Sequence, residues 1–214
     1  ELHGTAVAGI IAAEVNGVGI SGLAPESKLL ALRACRQIAE DLPEGECYSS
    51  SIARALDIAI RERADITNMS YGAPRPDQII SRLLDAGQRQ GMLFVAPVGN
   101  NPNQRELSFP ASHPAVIAVG GTDEQGRLFP SAFLAGKADI VAPAEQVFTS
   151  IPGNRYNFLS GTSYSSATVS GLLALASEKT GGKLATNQLP DYKGSLCCWQ
   201  AELLDLSLCL EPAS

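Results

Sequence analysis

Leu159-Ser160-Gly161-Thr162-Ser163-Tyr164-Ser165-Ser166-Ala167-Thr168-Val169-Ser170-Gly171 is the stretch whose reading decides the fold. Small residues and hydroxyls dominate it, and the apolar run Leu172-Leu173-Ala174-Leu175-Ala176 follows at once. The pattern predicts a tight glycine-led turn feeding a buried helix, with Ser163 near the helix N-terminus. A serine so placed lies beside unpaired backbone N–H groups and the positive end of the helix dipole, where a neighbouring oxyanion would be stabilised. The competing reading is structural: Ser163 or a neighbour caps the helix.

Outward from that turn, composition sets bounds. The 214 residues are 45% hydrophobic and 18% charged, an ordinary globular balance with length enough for a sizeable core. A net charge of −6 argues against a nucleic-acid partner. No apolar stretch is long enough to span a bilayer. Five cysteines are few for a disulfide scaffold. Cys35 and Cys47 flank a polar loop that a bridge would close in an oxidising compartment; two free thiols are the alternative. Cys197, Cys198 and Cys209 show no metal-ligand spacing.

Residues 4–15 are Ala, Gly, Val, Thr and Ile with one charge, Glu14, and predict a buried helix with His3 at its N-terminal end. A glycine-rich loop over 16–22 follows. Residues 28–34 form an apolar run of strand length. A helix is expected from Ser49 to about Arg63, capped by the serines at 49–51, and another over 77–90 with Ile79, Ile80, Leu83 and Leu84 inward and Gly91 past its end. Strands are expected at 66–69, 93–98, 116–119 and 139–142, and a hairpin strand at 147–151. Strands alternating with helices mean βαβ units and a mostly parallel sheet, whose ligand site lies beyond the C-terminal strand ends. Ser70-Tyr71-Gly72 and Gly99-Asn100 both follow strands directly, so both should reach that edge.

Taken in order, the motifs resemble those of the subtilisin-like serine peptidases. His3-Gly4-Thr5-Ala6-Val7-Ala8-Gly9 is similar to the family's histidine motif and Asn68-Met69-Ser70-Tyr71-Gly72 to its substrate-groove strand. Val98-Gly99-Asn100-Asn101 resembles its oxyanion segment, and Ser160-Gly161-Thr162-Ser163 its nucleophile motif. The resemblance covers roughly residues 1–180 and implies a three-layer α/β fold. It also implies Ser163 as nucleophile, His3 as general base and Asn100 with the Ser163 N–H as oxyanion hole. Ser70, Tyr71 and Gly72 would pair with an extended peptide or protein substrate. Val98, Gly99, Ser108 and Phe109 match positions around the pocket for the residue before the cut, an apolar or mixed pocket that Glu106 would bias toward basic residues. His113 reads as a structural loop residue. No cofactor is required for the chemistry. Asn16 matches a position that ligates a structural calcium ion in some members, with carbonyls of Glu14, Val18 and Ile20 available; an ordinary Asn-Gly turn is the alternative. The family and the Cys35–Cys47 pair together imply a secreted or periplasmic protein.

Three departures accompany the resemblance. The family's triad aspartate lies on a strand upstream of the histidine, whereas Glu1 is two residues from His3, and Asp41, Asp57 and Asp65 match no triad motif. The chain therefore reads as a catalytic domain without its N-terminal strand or strands, completed by a propeptide or other complementing segment, or else as an inactive peptide-binding module or fragment. After Ser163 the family's usual Met-Ala and Pro-His are replaced by Tyr164-Ser165-Ser166-Ala167-Thr168. The family's C-terminal helices are not visible either. Residues 1–182 read as a partial catalytic domain and 183–214 as an extension, with one helix near 199–206.

Overall fold

A computed structural model describes residues 2–38, 45–129, 132–184, 188–190, 194–196 and 203–204. Its centre is a sheet in the order β10-β7-β5-β4-β3. The strands are β3 (Ile66–Asn68), β4 (Leu93–Pro97), β5 (Val116–Thr122), β7 (Ile140–Pro143) and β10 (Gly194–Ser195), all parallel to their neighbours. Among the described residues of this sheet, β6 (Leu128–Phe129), beside the end of β5, alone runs antiparallel. β4 is buried at all five positions, as a parallel strand covered on both faces must be.

Helices cover both faces. On one side α2 (Ser49–Arg61) and α3 (Gln78–Arg89) bury Ile52, Leu56, Ile80 and Leu84 against Phe94 and Ala96. On the other, α5 (Thr162–Lys179) buries Val169, Leu172, Leu173 and Ala176 against Val95, Val119 and Ile140. The first helix, α1 (Leu2–Ala12), packs on α5 through Ala6 and Ile10, which meet Tyr164 and Ala167. Gly9 permits its approach to the hairpin of β8 (Val147–Ile151) and β9 (Arg155–Leu159), because a Cβ there would meet Ser150 Oγ. This is the expected three-layer α/β arrangement, and the short α4 (Ala132–Ala135) lies beside β5. No helix among the described residues is long and apolar enough to cross a membrane.

Several local expectations are corrected. The first helix ends at Ala12, and only Ala6, Gly9 and Ile10 are buried, since nothing described covers its outer side. α2 is preceded by Tyr48 with no side-chain cap; Ser51 Oγ instead donates to Ala34 O and Tyr48 O. In α3, Asp77 accepts from the Ile79 and Ile80 N–H groups; Ile79 is 63% exposed, outside the stripe in which Ile80, Leu83 and Leu84 meet the core. Residues 28–34 form no strand: β3 is the outermost strand on that side, and nothing described lies between to pair with them. Past residue 182, Leu184, Leu189, Leu196, Leu203 and Leu204 pack against the α5 side of the sheet. Most of the helix expected at 199–206, and Cys197, Cys198 and Cys209, lie outside the described residues.

Candidate active site

The turn before α5 decides the chemistry. Gly161 is the N-cap, at φ 149 and ψ 150 with no side-chain cap, a backbone conformation that suits glycine. Ser163 is therefore not a capping residue. Thr162, fully buried, donates its N–H and its Oγ1 hydroxyl to Asn100 Oδ1, each at 2.9 Å. With both donors on its oxygen, the Asn100 amide keeps Nδ2 turned away from Thr162. That nitrogen stands 3.3 Å from where a Gly161 Cβ would be. Ser163 is half-buried, and among the described residues neither its Oγ nor its backbone N–H has a hydrogen-bond partner. An unengaged hydroxyl, a free N–H at a helix N-terminus and an oriented amide N–H2 thus share one turn.

The other wall is tied to this turn by hydroxyls. Ser163 O accepts from Ser166 Oγ at 2.8 Å and from Ser70 Oγ at 3.2 Å, while Ser70 Oγ accepts from Asn68 Nδ2 at 2.7 Å. Ser170 Oγ, donating to Asn68 Oδ1 at 3.1 Å, adds a second link between α5 and the end of β3. Ala73 and Phe109 exchange backbone hydrogen bonds of 2.7 and 2.9 Å. The Ser70 N–H and both main-chain groups of Gly72 take no backbone partner among the described residues, so alternate residues present free groups as a sheet edge does. Tyr71 between them is largely buried, and burial pushes its phenol pKa up.

His3 enters from the first turn of α1, its ring 5.9 Å from that of Tyr164. Burial lowers its pKa below the ordinary 6.5, favouring the neutral imidazole that a base must offer. Tyr164 is itself pushed up to about 12 by burial. Among the described residues no hydrogen bond or carboxylate engages the His3 ring. Asp57 pairs with Arg61 at 3.0 Å and Asp65 with Lys183 at 3.5 Å, both at the surface; Asp41 lies outside the described residues. His113 lies 3.7 Å from Asp85, and its Nδ1 accepts from the Ala115 N–H at 3.2 Å, a structural placement.

Two depressions flank Pro74. One, about 410 Å3, opens between Gly72, Asn101, Gln104 and Ser108; the other, about 510 Å3, lies on the far side of Pro74 beside Phe109, Glu106 and Lys137. Only the smaller adjoins the neighbours of Ser70 and Asn100. Val98 and Phe109 are buried in the core, Gly99 and Ser108 half-buried. The Glu106 carboxylate, 87% exposed, is 3.0 Å from Lys137 Nζ and faces the larger depression.

Asn16 Oδ1 accepts from the Val18 N–H at 3.0 Å, and Glu14 O from the Asn16 N–H at 3.1 Å. Two of the four oxygens offered to calcium are thus engaged within the loop. Among the described residues no three His, Cys, Asp or Glu side chains form a metal-binding group. Cys35 and Cys47 are joined by a disulfide that closes β1 (Cys35–Gln37) on β2 (Gly45–Cys47). The same hairpin reaches α1, where Gln37 Oε1 accepts the Leu2 N–H at 3.2 Å, next to His3.

Two residues at the site escaped the sequence reading. Thr162 stood inside the motif, but its bonds are to a residue 62 positions away. Gln104 carries no local signal, since its place depends on how residues 101–108 fold back.

Known proteins supply the comparison. The chain is 38% identical over 174 residues to the "Thermophilic serine proteinase" of Bacillus sp. (strain AK1), covering 81% of this chain and 42% of that protein. It is 34% identical over 177 residues to subtilisin BL of Lederbergia lenta, covering 83% and 63%. It is 32% identical over 177 residues to the minor extracellular protease Epr of Bacillus subtilis (strain 168), covering 83% and 26%. The chain thus spans less than two thirds of these relatives. Among solved structures, sphericase superposes with a TM-score of 0.74 at 26% identity, covering 92% of this chain and 73% of that one. The prenylagaramide maturation protease PagA superposes at 0.70 with 28% identity, covering 86% and 68%. The subtilase family profile matches residues 1–192, and the chain belongs to that family.

Proposed function

We propose that these residues form the greater part of the catalytic domain of a serine endopeptidase. The observation that carries this reading is the turn at Gly161–Ser163, where Thr162 orients the Asn100 amide and leaves the Ser163 hydroxyl and N–H free. Ser163 Oγ attacks the peptide carbonyl carbon as the His3 imidazole takes its proton, and the carbonyl oxygen becomes an oxyanion held by Asn100 Nδ2–H and the Ser163 N–H. As the C–N bond breaks, the imidazolium returns the proton to the leaving amine. Water, activated by His3, then hydrolyses the acyl-enzyme ester and restores Ser163. The free main-chain groups of Ser70 and Gly72 hold the substrate extended, as an added strand. No step uses a metal; calcium at the Asn16 loop would be structural.

A carboxylate is still needed to orient His3. β3 is the outer strand of the described sheet, and Thr67 Oγ1 and Tyr71 OH, buried polar atoms without partners among the described residues, lie on it or just beyond it. Leu29 and Leu30 are each 50% exposed on the segment that forms no strand. We infer that a strand outside these residues, carrying the aspartate, pairs with β3. A propeptide or other N-terminal segment is the complementing partner. The Cys35–Cys47 bridge and the relationship to an extracellular protease support export.

The free groups at Ser70 and Gly72 would also serve a peptide-binding module without activity. Such a module has no use for an oriented Asn100 amide beside an unengaged serine, which favours the enzyme. The test is covalent labelling by a fluorophosphonate probe, with Ser163→Ala as control, on this chain and on one extended upstream. Labelling of the extended chain that disappears in Ser163→Ala supports the peptidase. A folded extended chain that stays unlabelled would refute it and leave the binding module.

A further inference from the structure

The depression rimmed by Gly72 and Asn101 is lined by two polar side chains, Gln104 and Ser108, that are hydrogen-bonded to each other. Resting on the peptidase reading above, we propose that Gln104 and Ser108 make this a pocket for a primary-amide side chain, glutamine or asparagine, at the residue before the scissile bond.

The pocket's place comes first. Its rim is formed by Gly72, which follows the free-edge segment, and by Asn101, which follows the oxyanion asparagine. Gly72 and Gly99 stand on either side of Ser108: a Cβ on Gly72 would lie 2.9 Å from Ser108 Cβ, and one on Gly99 would lie 3.0 Å from Ser108 Oγ. A peptide paired along Ser70–Gly72, with its scissile carbonyl at Asn100 and Ser163, therefore directs the preceding side chain toward Ser108.

The floor's polarity follows from what is already bonded. Gln104 Nε2 donates one hydrogen to Glu106 O and the other to Ser108 Oγ at 2.9 Å. Both amide hydrogens are spent, so the orientation of the side chain is fixed. Its Oε1 is an acceptor with no partner among the described residues, 3.2 Å from where a Gly99 Cβ would stand. Ser108 Oγ, having accepted from Gln104, keeps its own hydrogen to donate. The floor thus offers one acceptor and one donor side by side, the complement of a primary amide. A glutamine or asparagine side chain gives an N–H to Gln104 Oε1 and takes the Ser108 O–H on its carbonyl. An aliphatic side chain leaves both unpaired. Charge is also discouraged. Among the described residues no charged side chain lines the pocket, and the nearby Glu106 carboxylate is engaged by Lys137 on the far side of Pro74. A cation entering here would lose water without meeting a countercharge.

The experiment uses the full-length protein and internally quenched peptides differing only at that residue: Gln, Asn, Leu, Phe, Arg and Glu. Active sites are counted by fluorophosphonate labelling. The expected kcat/KM for Gln or Asn is about fivefold or more above Leu and Phe, and more than tenfold above Arg and Glu. Gln104→Leu should reverse the order of Gln and Leu. Gln104→Glu keeps the side chain's size, loses both Nε2 donations and brings a carboxylate to the pocket; it should raise Arg above Gln and serves if the leucine variant does not fold. A labelled enzyme that prefers Leu, Phe or Arg, or whose preference survives both substitutions, overturns the pocket assignment and leaves the peptidase reading intact. Absence of Ser163 labelling in the folded full-length protein overturns both.

Discussion

Replacing Thr162 by valine isolates how Asn100 is aimed. The substitution keeps the volume of a side chain that is wholly buried but removes the Oγ1 hydrogen bond to Asn100 Oδ1, 2.9 Å long. The Thr162 N–H still donates to the same oxygen at 2.9 Å, so the amide keeps one of its two restraints. A net hydrogen bond of about 1 kcal/mol corresponds to roughly a fivefold change in rate when its loss falls on the transition state. The expected result is therefore a five- to tenfold fall in kcat, about the reach of one such bond, with KM changed less than about twofold. Asn100→Ala removes the oxyanion donor itself and should cost about 10^2–10^3 in kcat, the range known for loss of one such donor in enzymes of this family. The assay is steady-state hydrolysis of a peptide amide, normalised by active-site titration, with thermal unfolding alongside. A folded Thr162→Val enzyme with unchanged kcat would show that the backbone N–H alone holds Asn100. One as impaired as Asn100→Ala would assign Thr162 a larger role than positioning. Either result refutes the argument.

Gly161→Ala should lower both Tm and kcat, because alanine at φ 149 is strained by about 1–3 kcal/mol and its Cβ would press on Asn100 Nδ2; a wild-type melting curve would contradict this. Leu172→Ala, at a position with no exposed surface under the sheet, should lose about 2–5 kcal/mol in urea unfolding, and a loss below about 1 kcal/mol would contradict the packing described. His3 should titrate below 6.5 by NMR. Because the folded state then binds fewer protons than the unfolded chain, its contribution to stability is present above pH 6.5 and is lost as pH falls through the lowered pKa. Pairing with a carboxylate-bearing strand should raise that pKa, and a value unmoved by the complementing segment would count against the strand. Cys47→Ser should cost about 2–3 kcal/mol, given the separation of 12 residues, and reductant should destabilise the parent chain but not the variant.

The sequence made some of this architecture plain and concealed other parts for identifiable reasons. α3 was legible because Asp77 and Gly91 mark its ends with residues whose local chemistry suits those places. Ile79 was misread because the buried stripe of α3 runs through Ile80, Leu83, Leu84 and Gly87, and Ile79, in the first turn, falls outside it. Residues 28–34 look like a strand by composition, but a strand is a relation between two segments, and no described segment pairs with them. At the site, His3, Asn100 and Ser163 were visible as motif members in order. The grip of Thr162 on Asn100 and the folding back of Gln104 onto Ser108 were not, since each is fixed by tertiary geometry. The charge of Glu106 suggests a basic preference by itself; its contact with Lys137, 31 residues on, is set by tertiary geometry and has no local signal.

The outer edge of β3 has a practical meaning in the tube. Unsatisfied peptide groups along a parallel strand do not distinguish a complementing segment from the same edge of a neighbouring molecule. Three residues, Ile66–Asn68, make a short template. Preparations of these residues alone will consequently grow turbid on concentration sooner than preparations in which the edge is occupied, and the difference will widen with time at room temperature.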